Sequence, residues 1–266
     1  GNTFVNTFSI SITSMEFHTA NSNIIYGGSK GSTSVYKSSD NGITWIQAGT
    51  GLPSQSDVVR ACVSVTADNP SVVYALFGGN NNGFYGVYKS SDEGQTWSQQ
   101  ANSPNLLGWS TTGSDSDGQA WYDLAFEVSP QDENILFVGG VNCWKSLDGG
   151  QSWNINTHWY GGGGANYMHA DEHMLKYNPL NNFIYSGNDG GLYYSTDNGD
   201  NWTDISDGLQ ITQFYSLGVS QTVQDKVIAG SQDNGTFLKN SSVWDAVIGG
   251  DGMECIIDYT NSNIMY

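Results

Sequence analysis

Short apolar and alternating stretches run along the whole chain, separated by turns rich in glycine, asparagine and proline. Arg60–Val65 (RACVSV) alternates, Val72–Phe77 (VVYALF) is apolar throughout, and Gly86–Ser90 (GVYKS) follows a Gly-Gly turn. No segment of ten or more residues has a convincing 3.6-residue period, so no helix is predicted. Short strands punctuated by turns predict an all-β chain.

The same order of strands recurs at least twice more. The later copies are Trp121–Val128, Ile135–Val138 and Asn142–Ser146, and then His169–Tyr177, Phe183–Gly187 and Leu192–Ser195. Four short strands in every ~50 residues are typical of a β-propeller blade. The predicted blades cover residues 12–57, 58–115, 119–165, 166–212 and 213–250, with the start of a further blade at 251–266. About five blades are therefore expected, in a chain truncated within a sixth.

An octapeptide, Ser-x-Asp-x-Gly-x-Thr/Ser-Trp, follows the third strand of each predicted blade. Its copies are Ser38–Trp45, Ser90–Trp97, Ser146–Trp153 and, with Asn201 replacing the hydroxyl residue, Ser195–Trp202; a degenerate fifth is Ser231–Thr236. The aspartates Asp40, Asp92, Asp148 and Asp197 are spaced by 52, 56 and 49 residues. A period this regular indicates one repeat array and a single domain.

The octapeptide has the composition of a rigid corner. Its aspartate can accept N–H groups of its own turn, and its glycine permits a left-handed backbone. Its tryptophan can return between the sheets, which predicts burial of Trp45, Trp97, Trp153 and Trp202. Metal or ligand binding by the four aspartates is the alternative, but identical boxes on every blade favour architecture.

The octapeptide resembles the Asp-box, or bacterial neuraminidase repeat, of sialidases, xyloglucanase-type glycoside hydrolases and the sortilin ectodomain. Longer strings such as GQAWYDLAFEVSP, YMHADEHMLKYNP and GGDGMECIIDY resemble the large surface propellers of bacteria that use type IX secretion. The resemblance implies an extracellular or cell-surface protein with a glycan or protein partner. It does not imply a reaction, since fold does not carry chemistry.

Charge and cysteine content narrow the classes of partner. Eight Lys+Arg against 26 Asp+Glu give 266 residues a net charge of −18, which disfavours nucleic acid and anionic membranes. No apolar run reaches the ~20 residues of a membrane helix. Cys62, Cys143 and Cys255 cannot form a disulfide framework, so buried thiols are favoured over one disulfide.

Candidate site residues lie on the predicted first strands. Aligning the blades places Arg60, Asp123, Asp171 and Tyr215 at matching positions, with His173 and Glu254 two residues further along the same face. His169 belongs to the same polar stretch, but on a strand it lies ~13 Å from His173, too far to share a zinc ion. Because first strands line a propeller axis, these groups are expected at one mouth of a polar channel.

These residues leave several functions open. Asp123, Asp171 and Glu254 are the candidate carboxylates if the chain is a glycoside hydrolase, which needs two beside a cleft. A sialidase is disfavoured, because an arginine triad is required and arginine is scarce. Asp115 and Asp117 resemble part of a calcium loop, although a solvated turn explains them too. A binding or structural module for glycan or protein is the leading prediction; the alternatives are a xyloglucanase-like hydrolase and a sortilin-like peptide receptor.

Overall fold

The computed structural model describes residues 6–31, 33–209 and 211–266. Their regular structure consists of 21 β-strands and one three-residue 3₁₀ helix, Gly162–Gly164, so the all-β prediction is confirmed. The chain divides into two compact units, Gly1–Ile205 and Ser206–Tyr266. No helix in the described ranges is long and apolar enough to span a bilayer.

The first unit contains four successive antiparallel meanders. The first two join into one eight-stranded sheet through the pairing of Lys30 with Arg60. Their strands are β1 (Ser11–Phe17), β2 (Ile25–Lys30), β3 (Val35–Ser38), β4 (Ile46–Gln47), β5 (Val58–Val65), β6 (Val73–Gly79), β7 (Phe84–Ser90) and β8 (Ser98–Ala101).

The other two meanders form separate sheets. Their strands are β9 (Ala125–Val128), β10 (Leu136–Gly139), β11 (Cys143–Ser146), β12 (Asn154–His158) and β13 (Asn166–Tyr167), and then β14 (Glu172–Tyr177), β15 (Ile184–Asn188), β16 (Gly191–Ser195) and β17 (Thr203–Asp204). The short β13 adds to β12 in parallel. The second unit is one more meander, β18 (Phe214–Val219), β19 (Lys226–Ser231), β20 (Gly235–Asn240) and β21 (Val243–Ile248).

The second strands form the centre of the core because both of their faces are covered. Every residue of β6 and of β10 is buried, as the apolar sequence of Val72–Phe77 predicts. Side chains from successive sheets pack together; one cluster joins Tyr74 and Leu76 of β6 to Val138 of β10 and Trp153. The three cysteines are unpaired and buried, so each thiol serves as a small apolar side chain.

The four octapeptides form the same corner. Asp92 accepts the Thr96 N–H at 2.8 Å and the Thr96 hydroxyl at 2.7 Å, and Gly94 has a left-handed φ of +83°. Trp97 donates its indole N–H to the Gly94 carbonyl at 3.2 Å. The same carboxylate bonds recur at Asp40, Asp148 and Asp197. Ser231–Thr236 differs, because it forms the turn between the second and third strands, β19 and β20.

A repeated lysine connects each of the first three meanders to the next. Lys37, Lys89 and Lys145 occupy the same position on β3, β7 and β11, just before the octapeptide serine. Each ammonium lies within 6 Å of the centre of an aromatic ring from its own sheet. Each also pairs with a carboxylate of the following meander, namely Glu93 at 3.5 Å, Glu133 at 3.0 Å and Asp200 at 2.7 Å. We call this arrangement the lysine clasp.

First strands of the unit meet through polar side chains. Lys176 of β14 lies 2.6 Å from Glu16 of β1 and 3.3 Å from Glu127 of β9. Ser64 of β5 donates to Glu127 at 3.3 Å. Burial raises the pKa of Glu127 to about 7. The first strands of all four meanders therefore converge, and carboxyl groups lie along them.

Candidate functional site

A cluster of carboxyl groups lies where the chain enters the first strands β9 and β14. We call Asp123, Asp171, Glu172 and Asp189 the carboxylate cluster. Asp123 and Asp171, which the blade alignment placed at matching positions, are bridged by one amide. Gln119 Nε2 lies 2.8 Å from Asp123 Oδ2 and 2.5 Å from Asp171 Oδ1. The structure thus brings these two predicted site residues together.

Local turns place these groups. Tyr122 N–H and Asp123 N–H both donate to the Gln119 carbonyl, at 2.8 and 3.2 Å, so Gln119–Asp123 is a turn. The predicted strand Trp121–Val128 therefore begins only at Ala125. Asp171 has a φ of +68°, which few residues other than glycine adopt. This left-handed residue stops the extended backbone, so the strand predicted from His169 begins at Glu172.

Asp123 is the most deeply buried carboxyl of the pair. Its side chain has no exposed surface, and among the described residues its Oδ1 has no hydrogen-bond partner. Burial, reinforced by the charge of Asp171, raises the pKa of Asp123 to about 7. Asp171 is only half-buried. A charge on Asp171 therefore disfavours ionisation of the buried Asp123.

Glu172 extends the buried chemistry behind Asp171. It accepts hydrogen bonds from the Ser186 hydroxyl and from Asn188 Nδ2, the latter at 3.4 Å. Burial raises the pKa of Glu172 to about 8, and the neighbouring Asp123 and Asp171 add to the effect. Glu172 is too enclosed to touch a substrate, so its effect is exerted through its neighbours.

Asp189 is the second half-buried carboxylate of the cluster. It accepts the Tyr122 hydroxyl at 2.6 Å and His173 Nε2 at 2.7 Å. The Tyr122 and His173 rings are perpendicular, with centres 4.9 Å apart, so the two donors brace each other. Oxygen atoms of Asp171 and Asp189 lie within 4.8 Å of one another. The site therefore presents two accessible carboxyl groups in front of two buried ones.

The other predicted residues of the first unit support this arrangement. Arg60 donates to the carbonyls of Ala120 and Tyr122, both at 3.2 Å, and so holds the turn that carries Asp123. His169 packs on Gly190, where an added Cβ would lie 2.2 Å from the imidazole ring. His169 and His173 thus contact successive residues of the β15–β16 turn.

Tyr215 and Glu254 lie in the second unit, and both side chains are exposed. Their convergence with Asp123 and Asp171 stays a prediction.

In the Ser110–Gln119 loop, Asp115 accepts the Ser110 N–H at 2.6 Å, and the Asn105 amide donates to the carbonyls of Asp115 and Asp117. Several oxygens of this loop already serve internal bonds, and the calcium assignment also stays a prediction.

Four participants escaped the sequence reasoning: Gln119, Tyr122, Glu172 and Asp189. Gln119 and Tyr122 lie in the turn before their strand, and the alignment of strands between blades does not predict where side chains of a turn point. On a strand, Glu172 points to the face opposite to Asp171 and His173. A carboxylate is not expected on the buried face of a strand, so Glu172 was not predicted to belong to the site. Asp189 lies in the β15–β16 hairpin, where Asn-Asp-Gly-Gly reads as turn chemistry alone. The acidic residue in that turn was the available signal.

An aromatic patch lies on neighbouring loops of the same unit. Trp109, Trp159 and Tyr160, which define the patch, are 42%, 46% and 63% exposed. Buried His158 holds them: its Nε2 lies 3.3 Å from the Trp109 carbonyl, and its Nδ1 accepts the Tyr160 N–H at 3.3 Å. Burial lowers the pKa of His158. The patch is therefore a fixed surface supported by a neutral imidazole.

Comparison with known proteins identifies the architecture. No family model matches the chain. A xyloglucanase from Paenibacillus sp. is 28% identical over an alignment of 141 residues, and the match covers 47% of this chain and 13% of that enzyme. The chain thus spans a small part of that relative.

Two solved structures cover almost the whole chain. The GH74 enzyme of Niastella koreensis matches 96% of it with a TM-score of 0.54 and 18% identity. The GH74 xyloglucanase of Xanthomonas campestris matches 98% with a TM-score of 0.53 and 16% identity. The matches cover 40% and 42% of those chains. At such identities the likeness is one of fold, and the chain is a β-propeller with xyloglucanase-type relatives.

Proposed function

We propose that the chain is part of a glycoside hydrolase that cleaves a neutral, xyloglucan-like polysaccharide outside the cell. Half-buried Asp171 supplies the proton, and Asp189 is the second catalytic carboxylate. One observation carries the proposal: a buried carboxyl, Asp123, shares the Gln119 amide with the accessible Asp171, while Asp189 lies within 4.8 Å of it.

The acid function follows from a proton held by the Asp123–Asp171 pair. A general acid must hold its proton near neutral pH and lie within reach of the glycosidic oxygen. Because burial raises the pKa of Asp123 to about 7, the Asp123–Asp171 pair still carries a proton in about half of the molecules at pH 7. Asp123 is buried, so the proton leaves the pair through Asp171. Gln119 keeps the two carboxyl groups in contact during the transfer.

The second carboxylate is oriented before substrate arrives. Tyr122 and His173 both donate to Asp189, which fixes its position without a ligand. Retaining glycosidases place their two carboxyl groups about 5–5.5 Å apart, and inverting enzymes about 6.5–9.5 Å apart. Oxygen atoms of Asp171 and Asp189 lie within 4.8 Å of each other, which is below both ranges and nearer to the first. We therefore expect hydrolysis with retention of the anomeric configuration.

Charge and similarity support the substrate class. A net charge of −18 repels acidic polysaccharides, so a neutral polymer suits this surface. The Paenibacillus relative is a xyloglucanase. These two points favour hydrolysis of xyloglucan over attack on sialylated or uronic acid chains.

The test is reducing-end release from soluble xyloglucan, with the product anomer followed by proton NMR. Asp171→Asn and Asp189→Asn should each lower the rate at least ~100-fold. Asp245→Asn, a matched change of an exposed carboxylate on β21, should leave the rate unchanged. The proposal fails if the wild-type chain releases no sugar from xyloglucan, or if Asp171→Asn retains the full rate.

The aromatic patch favours a second candidate function, a binding module for glycan or protein at the cell surface. Exposed tryptophan and tyrosine rings are strong contact residues and stack on sugars or partner side chains. This function predicts retardation of the chain in a xyloglucan-containing native gel without release of reducing ends. Trp159→Ala should abolish the retardation, whereas Asp171→Asn should not.

A further inference from the structure

A polar pocket opens on the second meander, apart from the carboxylate cluster. It lies beside the β6–β7 turn and has a volume of about 610 Å³. Its lining is composed of amide side chains, aromatic rings and one carboxylate, and includes Asp57, Asn80, Asn81, Tyr85, Tyr88 and Gln99. We call it the amide pocket. Its volume lies within the ~300–1,000 Å³ of small-molecule sites.

The rim of the amide pocket is fixed without a ligand. Asn80 donates its Nδ2 to the Ser56 carbonyl at 2.7 Å. Asn81 is held at both ends, since its Nδ2 donates to the Ser116 carbonyl at 2.6 Å and its Oδ1 accepts the Gly83 N–H at 3.1 Å. These bonds orient the amide groups, so a ligand need not order them on binding.

The floor of the amide pocket is aromatic and braced. Tyr88 is buried and stands edge-on to Phe77, with ring centres 5.4 Å apart. Tyr85 is half-buried and lies over Gly79, where an added Cβ would be 3.6 Å from its ring. Gly86 leaves room for the amide of Gln99, whose Nε2 would be 2.8 Å from a Cβ there.

The chemistry of this lining selects a neutral, hydroxyl-rich ligand. Among the described residues that line the pocket there is no lysine, arginine or histidine, so an anion gains no partner. A single carboxylate, Asp57, is too few hard ligands for a divalent cation. Amides and a carboxylate at the rim can pair with hydroxyl groups, while tyrosine rings cover the apolar face of a sugar.

We infer that the amide pocket binds a neutral pyranose of an oligosaccharide chain. Tyr85 provides the stacking face, and Asn80 and Asp57 provide hydroxyl contacts. This inference does not depend on the proposed hydrolysis, because none of the pocket residues belongs to the carboxylate cluster. It gives the chain a sugar-binding site that holds polysaccharide whether or not the cluster cleaves it.

The test is isothermal titration with cellohexaose, xylohexaose and a xyloglucan nonasaccharide, with hexagalacturonate as the anionic control. Titrations are run in Asp171→Asn as well as in the wild-type chain, so that cleavage does not consume the probe. At least one neutral probe should bind, and hexagalacturonate should not. Tyr85→Ala and Asn80→Ala should each raise Kd roughly tenfold.

Matched variants separate this pocket from other surfaces. Tyr259→Ala removes an exposed tyrosine that belongs neither to the amide pocket nor to the aromatic patch, and it should leave Kd within roughly twofold. Tyr85→Phe keeps the ring and should retain most of the affinity, which distinguishes lost stacking from misfolding. The inference is overturned if no neutral probe binds, or if Tyr85→Ala and Asn80→Ala bind as tightly as wild type. It is also overturned if Tyr160→Ala alone abolishes binding.

Discussion

Replacing Glu172 by glutamine should make the protein more stable at high pH and nearly unchanged at low pH. Glu172 is 1% exposed, and burial raises its pKa to about 8 from an ordinary value of 4.5. In the unfolded chain the carboxyl loses its proton above pH 4.5, whereas in the folded chain it keeps the proton until about pH 8. Between these values the unfolded state binds fewer protons, so the free energy of unfolding falls as pH rises.

The size of the effect follows from the separation of the two pKa values. At 1.36 kcal/mol per pKa unit, ionisation of Glu172 opposes folding by ~3 kcal/mol at pH 7 and ~5 kcal/mol above pH 8. Glutamine has the shape of the protonated side chain and never ionises. The free energy of unfolding of Glu172→Gln should therefore exceed that of wild type by ~3 kcal/mol at pH 7 and ~5 kcal/mol above pH 8. At pH 5 the difference should be under ~1 kcal/mol.

Urea unfolding followed by tryptophan fluorescence at pH 5, 7 and 9 measures this difference. Asp123 and Glu127, whose pKa values are also raised, lower the stability of both proteins, and subtraction removes most of their effect. Asp57→Asn, which replaces an exposed carboxylate of the same unit, is the control. Its free energy of unfolding should change with pH in the same way as that of wild type. A Glu172→Gln difference that stays constant from pH 5 to 9 would refute the assignment of a protonated, buried glutamic acid.

Three further predictions address the fold and the patch. Trp153→Ala should lower the free energy of unfolding by ~3–5 kcal/mol, because this residue is only 7% exposed, and Trp45→Ala, at a half-buried residue, should cost less in the same urea assay. Gly28→Ala should destabilise the contact between the first two meanders by more than ~1 kcal/mol, since a Cβ there would lie 2.4 Å from the Ala61 carbonyl; an unchanged thermal midpoint would contradict this. Because burial lowers the pKa of His158, its contribution to stability is complete above about pH 6.5 and is lost as pH falls through the lowered pKa; tryptophan fluorescence should report loosening of the aromatic patch there, and His158→Gln should remove that transition.

The repeat pattern predicts the fold well because it is dictated by local chemistry. The octapeptide specifies its own corner, since the hydrogen bonds of Asp92 reach no further than Thr96. Strand alternation also placed Asp123 and Asp171 at equivalent positions, and the structure joins them through Gln119.

The rest of the site depends on contacts between distant segments. Tyr122 meets Asp189 across 67 residues, and nothing in either local sequence specifies that pairing. The left-handed backbone of Asp171 shortens a strand that alternation extends to His169. Irregular turns of this kind arise from tertiary packing, which overrides the local strand pattern.

The lysine clasp bears on how such a chain can be rearranged. Its donor repeats with the blade, but its acceptors do not: Glu93 and Asp200 come from different octapeptide positions, and Glu133 lies before a second strand. Each lysine is thus matched to one particular successor. Exchanging or duplicating a meander would preserve the octapeptide corner inside it but would leave its lysine without the matching carboxylate in the following meander. The ion pairs between meanders therefore specify the order of the meanders along the chain.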